Sequence, residues 1–349
     1  MNRYISGSEK DFYNFIESIS DKDKIGLISH SDLDGIVSAV ILNKILDSKG
    51  LNVRFLDFSK YSYDALKNIL NKKLDVLFFT DYSVDNYTDD LNELRKKSKI
   101  LIVDHHPLNQ ELKDKSGVIK TKYDYCTSNT LFDLAKNVGG LNIKELEPLV
   151  CAAIITDYVW DKDPLNFDFI KSIYPEVKKD TSIFDSEPGK IGRKIDMAMT
   201  YYDPDYKIVY NSILKGDLSK IENAANLVDK EINLWVEKFR KEREYYPEKK
   251  LHFYYGNPKY NIASSVSTIS SGNEFKGDTV VFASDMLDKK GFVKFSARNQ
   301  SGEVNLGEVL KKCSKDFENS DGGGHARASS ATIMKKDLNK FKERFISEL

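Results

Sequence analysis

The chain has 349 residues, 40% of them hydrophobic and 31% charged, and a formal net charge of -1. That length accommodates two domains with their own cores, and the even charge balance excludes nonspecific coating of long duplex DNA by a global positive field. With no long apolar stretch or leader-like start, a cytoplasmic protein without membrane contact is expected, and Cys126, Cys151 and Cys313 are too widely spaced for a disulfide framework or a Cys-x-x-Cys knuckle.

Taken in chain order, the hydrophobic pattern predicts strands over 24–29 and 51–56 around a helix over about 35–49. Strands over 74–80 and 100–103 flank a helix near 90–97, and 118–120 adds a short strand. The run Ala152-Ala153-Ile154-Ile155 before Asp157 reads as one more strand end. Repeated βαβ units imply an α/β fold, a parallel sheet with helices on both faces. Beyond Asp203-Pro204 the chain is rich in Lys, Glu, Leu and Ala, with Ile221, Ala225, Val228, Ile232 and Val236 at helical spacing, so a helical connector is expected. Strands over 279–283 and 291–297, a helix near 306–313 and a last helix near 338–349 then make a smaller α/β domain. The expected plan is a domain over 1–205, a connector over 206–247 and a second domain over 248–349.

The densest chemistry is Asp104-His105-His106, three metal-capable side chains directly after Ile100-Leu101-Ile102-Val103. A parallel strand delivers the next residues of the chain to its carboxyl edge, where open α/β sheets place ligands. Asp32 and Asp34, Asp81 and Asp157 come after other apolar runs, and a joint occurrence at several element ends argues for one site. Hard carboxylates mixed with imidazoles suit Mn, Mg or Zn, and so many acids suggest two ions sharing a carboxylate. The blander alternatives stay open. Asp32 or Asp34 can simply cap the helix after Gly35. If the segment 30–34 is extended, however, His30, Asp32 and Asp34 point the same way. Asp81 and Asp157 can equally be caps. Asp104 is expected to orient an imidazole rather than ligate, and His106 would point opposite to His105 if the strand continued.

A second constellation lies near the end. Gly322-Gly323-Gly324 reads as a loop whose backbone N–H groups could face a phosphate, with His325 donating beside it. Arg298, at the end of a predicted strand, offers a planar fork for the same anion.

His30-Ser31-Asp32-Leu33-Asp34-Gly35, Asp81, Asp104-His105-His106 and Asp157 resemble the four motifs of the DHH phosphoesterases. Gly322-Gly323-Gly324-His325, with Arg298 and Asn305-Leu306-Gly307 before it, resembles the associated DHHA1 substrate domain. The resemblance implies a hydrolase with two manganese ions, for which Mg2+ or Co2+ could substitute. Asp34, Asp81, His105 and Asp157 would hold one ion, while Asp32 and Asp81 would hold the other with Asp81 bridging. His106, Arg298 and His325 would bind the scissile phosphate or its nucleotide, with Asp104 among the catalytic residues. Many members place the first histidine four residues before the first Asp of the pair, where this chain has Ile28. His30 sits nearer the pattern of the RecJ-like branch, in which that position is acidic, and its role as a ligand follows less directly. The function implied is a phosphodiesterase acting on short oligonucleotides such as dinucleotides, or on cyclic dinucleotides such as c-di-AMP. The alternatives are a RecJ-like single-strand exonuclease and a non-catalytic replication scaffold, and the resemblance leaves room for a homodimer.

Overall fold

The protein is described by a computed structural model covering residues 3–59, 63–113 and 115–349. It divides into two compact units, Met1–Ala225 and Asn226–Leu349. The first unit begins with β1 (Tyr4–Ser6) and α1 (Glu9–Glu17), then runs β2 (Ile25–Ser29), α2 (Leu33–Ser48), β3 (Val53–Phe58), α3 (Tyr63–Leu70), β4 (Val76–Thr80), α4 (Thr88–Arg95), β5 (Lys99–Asp104) and β6 (Val118–Thr121). The strands form one sheet in the order β1-β6-β5-β4-β2-β3. All pairings are parallel except that of β1 with β6.

The central strands β2, β4 and β5 carry near-continuous apolar runs because both faces of the sheet are covered there. Leu27, Phe78, Leu101 and Val103 enter one core, whereas Ile28, Leu77, Phe79, Ile100 and Ile102 enter the other, as the pleat alternation requires. The first core is completed by α2, buried along most of its length, and by α5 (Thr127–Lys136), α6 (Glu147–Thr156), α7 (Pro164–Ile173), α8 (Glu187–Tyr202) and α9 (Lys207–Leu214).

The predicted strand over 152–155 is therefore a helix. Pro148 opens α6 near its first turn, and the apolar run continues from Leu149 to Ile155 with every residue buried, the signature of a helix enclosed on all sides. Four apolar residues fit a core strand and a core helix equally well.

Helix α10 (Ser219–Glu242) carries the chain into the second unit. There β7 (Glu244–Tyr246), β8 (Leu251–Tyr255), α11 (Ala263–Asn273), β9 (Thr279–Asp285), β10 (Phe292–Arg298), α12 (Leu306–Ser314), β11 (Asp321–Gly324), β12 (Ala328–Met334) and α13 (Leu338–Glu348) follow. The sheet order is β11-β12-β10-β9-β8-β7, parallel only between β8 and β9. Phe295, Ile333, Leu310, Phe341 and Phe345 are fully buried in its core. The predicted glycine loop is thus an edge strand, and the turn comes one residue later, where His325 and Ala328 exchange backbone hydrogen bonds. Gly322 serves this packing: a Cβ there would lie 2.2 Å from Ser314 Oγ and 2.8 Å from the Leu310 carbonyl of α12.

Among the described residues no helix is long and apolar enough to cross a membrane.

Candidate metal centre

The carboxyl ends of β2, β4 and β5, neighbours in the sheet, deliver His30, Asp81 and the Asp104-His105-His106 segment to one place. Three sets of ligand atoms, each within 4.8 Å, result: Asp81, His105 and His106; His30, Asp32 and Asp81; Asp34, His105 and Asp157. All six sequence-proposed metal ligands, together with His106, are therefore clustered, and Asp81 belongs to two of the sets.

The turn after β2 combines capping with convergence. Asp32 is the N-cap of α2, with Oδ1 accepting from Gly35 N at 2.9 Å, while its Oδ2 lies 2.5 Å from His30 Nδ1. Asp34 stands in the first turn of α2, so segment 30–34 is not extended, and its convergence comes from helix entry rather than strand alternation. The turn is tight enough that a Cβ on Gly35 would lie 2.3 Å from the His30 carbonyl. Ser29 locks it by donating to the Gly35 carbonyl at 2.7 Å while accepting from Thr80 Oγ1 at 2.8 Å.

Asp34 is held from outside its own turn. Its two oxygens accept from Thr127 N at 2.7 Å and Ser128 N at 2.9 Å, the first amides of α5, where the helix dipole favours an anion. Asp81, with φ of +53°, lies in the left-handed region that aspartate tolerates better than most residues, and its amide still bonds the Val103 carbonyl. Its Oδ1 is 3.3 Å from His105 Nε2 and 3.7 Å from His106 Nδ1, while Oδ2 is 3.7 Å from His30 Nδ1. Strand β5 ends at Asp104, so pleat alternation does not apply beyond it. His105 and His106 have ring centroids 4.7 Å apart and both reach Asp81, instead of pointing opposite ways. Asp157, the C-cap of α6, brings Oδ2 to 3.5 Å from His105 Nε2.

Behind these groups lies a buried ionic chain. Asp104 Oδ1 is 2.8 Å from His106 Nδ1, and its Oδ2 is 2.5 Å from Lys120 Nζ. Lys120 also reaches Asp85 Oδ1 at 2.9 Å, and all three charged side chains are fully buried. Lys120 and Asp85 were not singled out from the sequence. Their signal was a lysine within Val118-Ile119-Lys120-Thr121, a strand buried at every position.

The electrostatics of the cluster are those of crowded, buried carboxylates. Burial first, then the charges of Asp32, Asp34, Asp104 and Asp157, hold the Asp81 carboxyl well above its ordinary range. Burial, then Asp34, Asp32 and Asp104, push Asp157 up to about 9. For Asp104, burial is overcome by the His106 hydrogen bond and the Lys120 charge, which hold it down. His106 is raised, because the Asp104 bond outweighs burial. Asp32 is lowered against burial by its bond to His30. Asp81 Oδ2, Asp157 Oδ2 and His105 Nδ1 are buried without a hydrogen-bond partner. Crowded carboxylates, orphaned oxygens and imidazole nitrogens fit a divalent cation, which would offset both the repulsion and the lost hydrogen bonds.

In the second unit, Arg298 at the end of β10 donates through Nε to Thr268 Oγ1 at 2.9 Å, and through Nη2 to Ser264 Oγ at 3.2 Å. It pairs in register with Ala328, and Gly324 with Ser329, so Arg298, the glycine strand and exposed His325 share one end of the sheet. Asn305 caps α12, and a Cβ on Gly307 would lie 2.3 Å from the Gly324 carbonyl, so these residues seat α12 on β11.

Comparison with known proteins accords with this architecture. The DHH family, N-terminal domain, matches residues 24–155, and the DHHA1 domain matches residues 256–349. The chain resembles the RecJ structure in complex with Mn2+ from Thermus thermophilus (TM-score 0.69, 16% identity), over 97% of this chain and 54% of that one. It therefore spans about half the length of the Thermus chain. It also resembles an exonuclease RecJ bound to manganese (TM-score 0.70, 15% identity; 98% and 94% covered) and CDC45 from Entamoeba histolytica (TM-score 0.60, 13% identity; 98% and 98% covered). At these identities the likeness is one of fold. Comparison with curated proteins gives no match. With a DHH domain followed by a DHHA1 domain, the chain belongs to the DHH family in its DHHA1-bearing form.

Proposed function

We propose that this protein is a manganese-dependent phosphodiesterase that hydrolyses short oligonucleotides such as dinucleotides to nucleoside monophosphates. The observation that carries the reading is the convergence of His30, Asp32, Asp34, Asp81, His105 and Asp157 within ligand distance, with buried oxygens of Asp81 and Asp157 unpartnered. In this reading Asp34, Asp81, His105 and Asp157 hold one ion, while His30, Asp32 and Asp81 hold the other. The two oxygens of Asp81 face different histidines, which suits a carboxylate that would be shared between two ions. Two divalent ions bound there would supply Lewis acidity toward the phosphoryl oxygens and a water acidic enough to react near neutral pH.

The chain's own groups set the rest. Thr127 and Ser128 amides fix Asp34 in one orientation. Lys120 holds Asp104, which accepts from His106 Nδ1 and favours the protonated ring, whose Nε2–H can then donate to a phosphoryl oxygen. Arg298, the Gly322–Gly324 edge and His325 grip the nucleotide phosphate or base.

Fold likeness to two manganese-bound RecJ structures over nearly the whole chain favours a second reading, a single-strand exonuclease. Hydrolysis of dinucleotides, pentamers, cyclic dinucleotides and long single strands of DNA and RNA, with Mn2+, Mg2+ or Co2+ and with EDTA, separates the two. Dinucleotides should be the best substrates and EDTA should abolish turnover. Activity that is kept or rises with strand length would favour the exonuclease, a preference for cyclic dinucleotides would change the substrate, and no turnover under any condition would overturn both readings.

A further inference from the structure

We propose that Tyr158 is a stacking platform for the nucleobase adjoining the scissile phosphate, an inference that rests on the phosphodiesterase reading above. Helix α6 ends in a Schellman motif: Tyr158 N bonds the Ile155 carbonyl at 3.1 Å and Val159 N bonds the Ile154 carbonyl at 3.2 Å. The hydrophobic contact that accompanies such a motif is available in Ile154 and Val159, both buried. Tyr158 occupies the left-handed position of the motif, with φ of +57°. Glycine is the residue favoured there, because an L side chain crowds the backbone. The aromatic ring is thus kept at a place where backbone energetics alone would remove it.

The core does not explain the ring. Tyr158 is 65% exposed, whereas the neighbouring Ile155 and Val159 are buried. Its contact is a tilted one with Phe184, at 5.4 Å between ring centroids, and Trp160 meets Phe184 edge-on at 6.4 Å. The result is a braced aromatic surface opening to solvent. It begins one residue after Asp157, whose carboxylate faces His105 in the candidate metal centre. Consecutive Cα atoms stand about 3.8 Å apart, so the ring is rooted directly beside a residue of that centre, and the platform is assigned to the base of a nucleotide whose phosphate the centre would hold. Every base has a π-face, so such a platform accepts nucleobases without strong sequence preference.

The experiment uses the full-length protein, Tyr158→Gly and Tyr158→Phe. Substrates are a dinucleotide with both bases and two analogues in which one or the other base is replaced by an abasic residue. Tyr158→Gly should keep or raise the thermal midpoint, because it relieves the left-handed strain, yet should raise KM for the full dinucleotide roughly ten- to a hundredfold. Tyr158→Phe should resemble the parent. The penalty should vanish for one of the two abasic substrates, the one that lacks the stacked base. A second readout needs no turnover: a non-hydrolysable 2-aminopurine dinucleotide analogue with Mg2+ should be quenched by the parent and not by Tyr158→Gly. Equal penalties on all substrates, no penalty, or a Tyr158→Gly protein that is clearly less stable would overturn the platform and make the ring structural. Quenching by the parent without hydrolysis would uphold the platform and sink the phosphodiesterase reading. Hydrolysis that is insensitive to Tyr158 would do the reverse.

Discussion

Lys120 lies between Asp104 and Asp85, 2.5 Å from one carboxylate and 2.9 Å from the other, with none of the three side chains reaching solvent. One ammonium thereby compensates two buried acids, one of which orients His106 beside the metal centre. Removing one partner of a buried pair leaves an uncompensated charge, at a cost of about 3–5 kcal/mol. Lys120→Met should therefore lower stability to urea by about that amount, and adding Asp85→Asn should recover part of the loss. A single-variant loss below about 1 kcal/mol would remove Lys120 from this role.

Asp81→Asn tests the crowding from the opposite side. Without bound cation the carboxyl is held far above its ordinary range by burial and by four neighbouring carboxylates. The amide should leave the metal-free protein as stable as the parent or more so. It should also abolish the rise in thermal midpoint on adding Mn2+ and lower hydrolysis by at least roughly a hundredfold, the upper end of what losing an outer partner costs. A Mn2+-induced midpoint shift equal to the parent's would take Asp81 out of the site.

The sign of the pH dependence follows from the same crowding. Asp157 is pushed up to about 9, so the folded state retains its proton where the unfolded chain has lost it. Its contribution to stability is full below about pH 4, the ordinary carboxylate value, and is lost as pH rises toward 9. Asp81, and above about pH 6.5 the raised His106, act in the same direction. In EDTA the thermal midpoint should fall from pH 6 to pH 9, Asp157→Asn should flatten that slope, and Mn2+ should stabilise more at the alkaline end. A midpoint that is flat or rising across this interval in EDTA would contradict the assignment.

In the second unit, Arg298→Ala should raise KM for a dinucleotide about ten- to a hundredfold while bound metal stays unchanged. The lost contact is a charge-assisted hydrogen bond worth about 1.5–3 kcal/mol. Ser264 and Thr268 already steer the guanidinium, so Ser264→Ala with Thr268→Val should give a smaller rise in the same direction. Metal content measured beside the kinetics separates this from damage to the first unit.

The strands β2, β4 and β5 were legible because a strand covered on both faces is apolar at consecutive positions, and each run is closed by polar residues. The same composition concealed α6, since a helix buried all round has no polar stripe to betray its period. The acids and histidines could be read because metal chemistry restricts residue type. What held them could not: Asp34 rests on backbone amides, which any sequence supplies, and Lys120 looked like an ordinary lysine until β6 was found buried. The glycine run read as a loop and is an edge strand, because the missing side chain that a turn favours is equally what close packing of Gly322 on α12 requires.

The adjacency of β5, β4 and β2 in the sheet has a consequence for how the centre tolerates insertion. Neighbouring strands stand about 4.7–4.9 Å apart, so side chains leaving adjacent ends are spaced on the scale of a single coordination sphere. The sheet thus sets the dimensions of the cluster, and the loops supply residue types at positions already measured out. A one-residue insertion within β4 would keep an apolar strand but turn its end to the opposite face. Asp81 would then point away from His30 and His105, and the centre would be lost while the sheet survived.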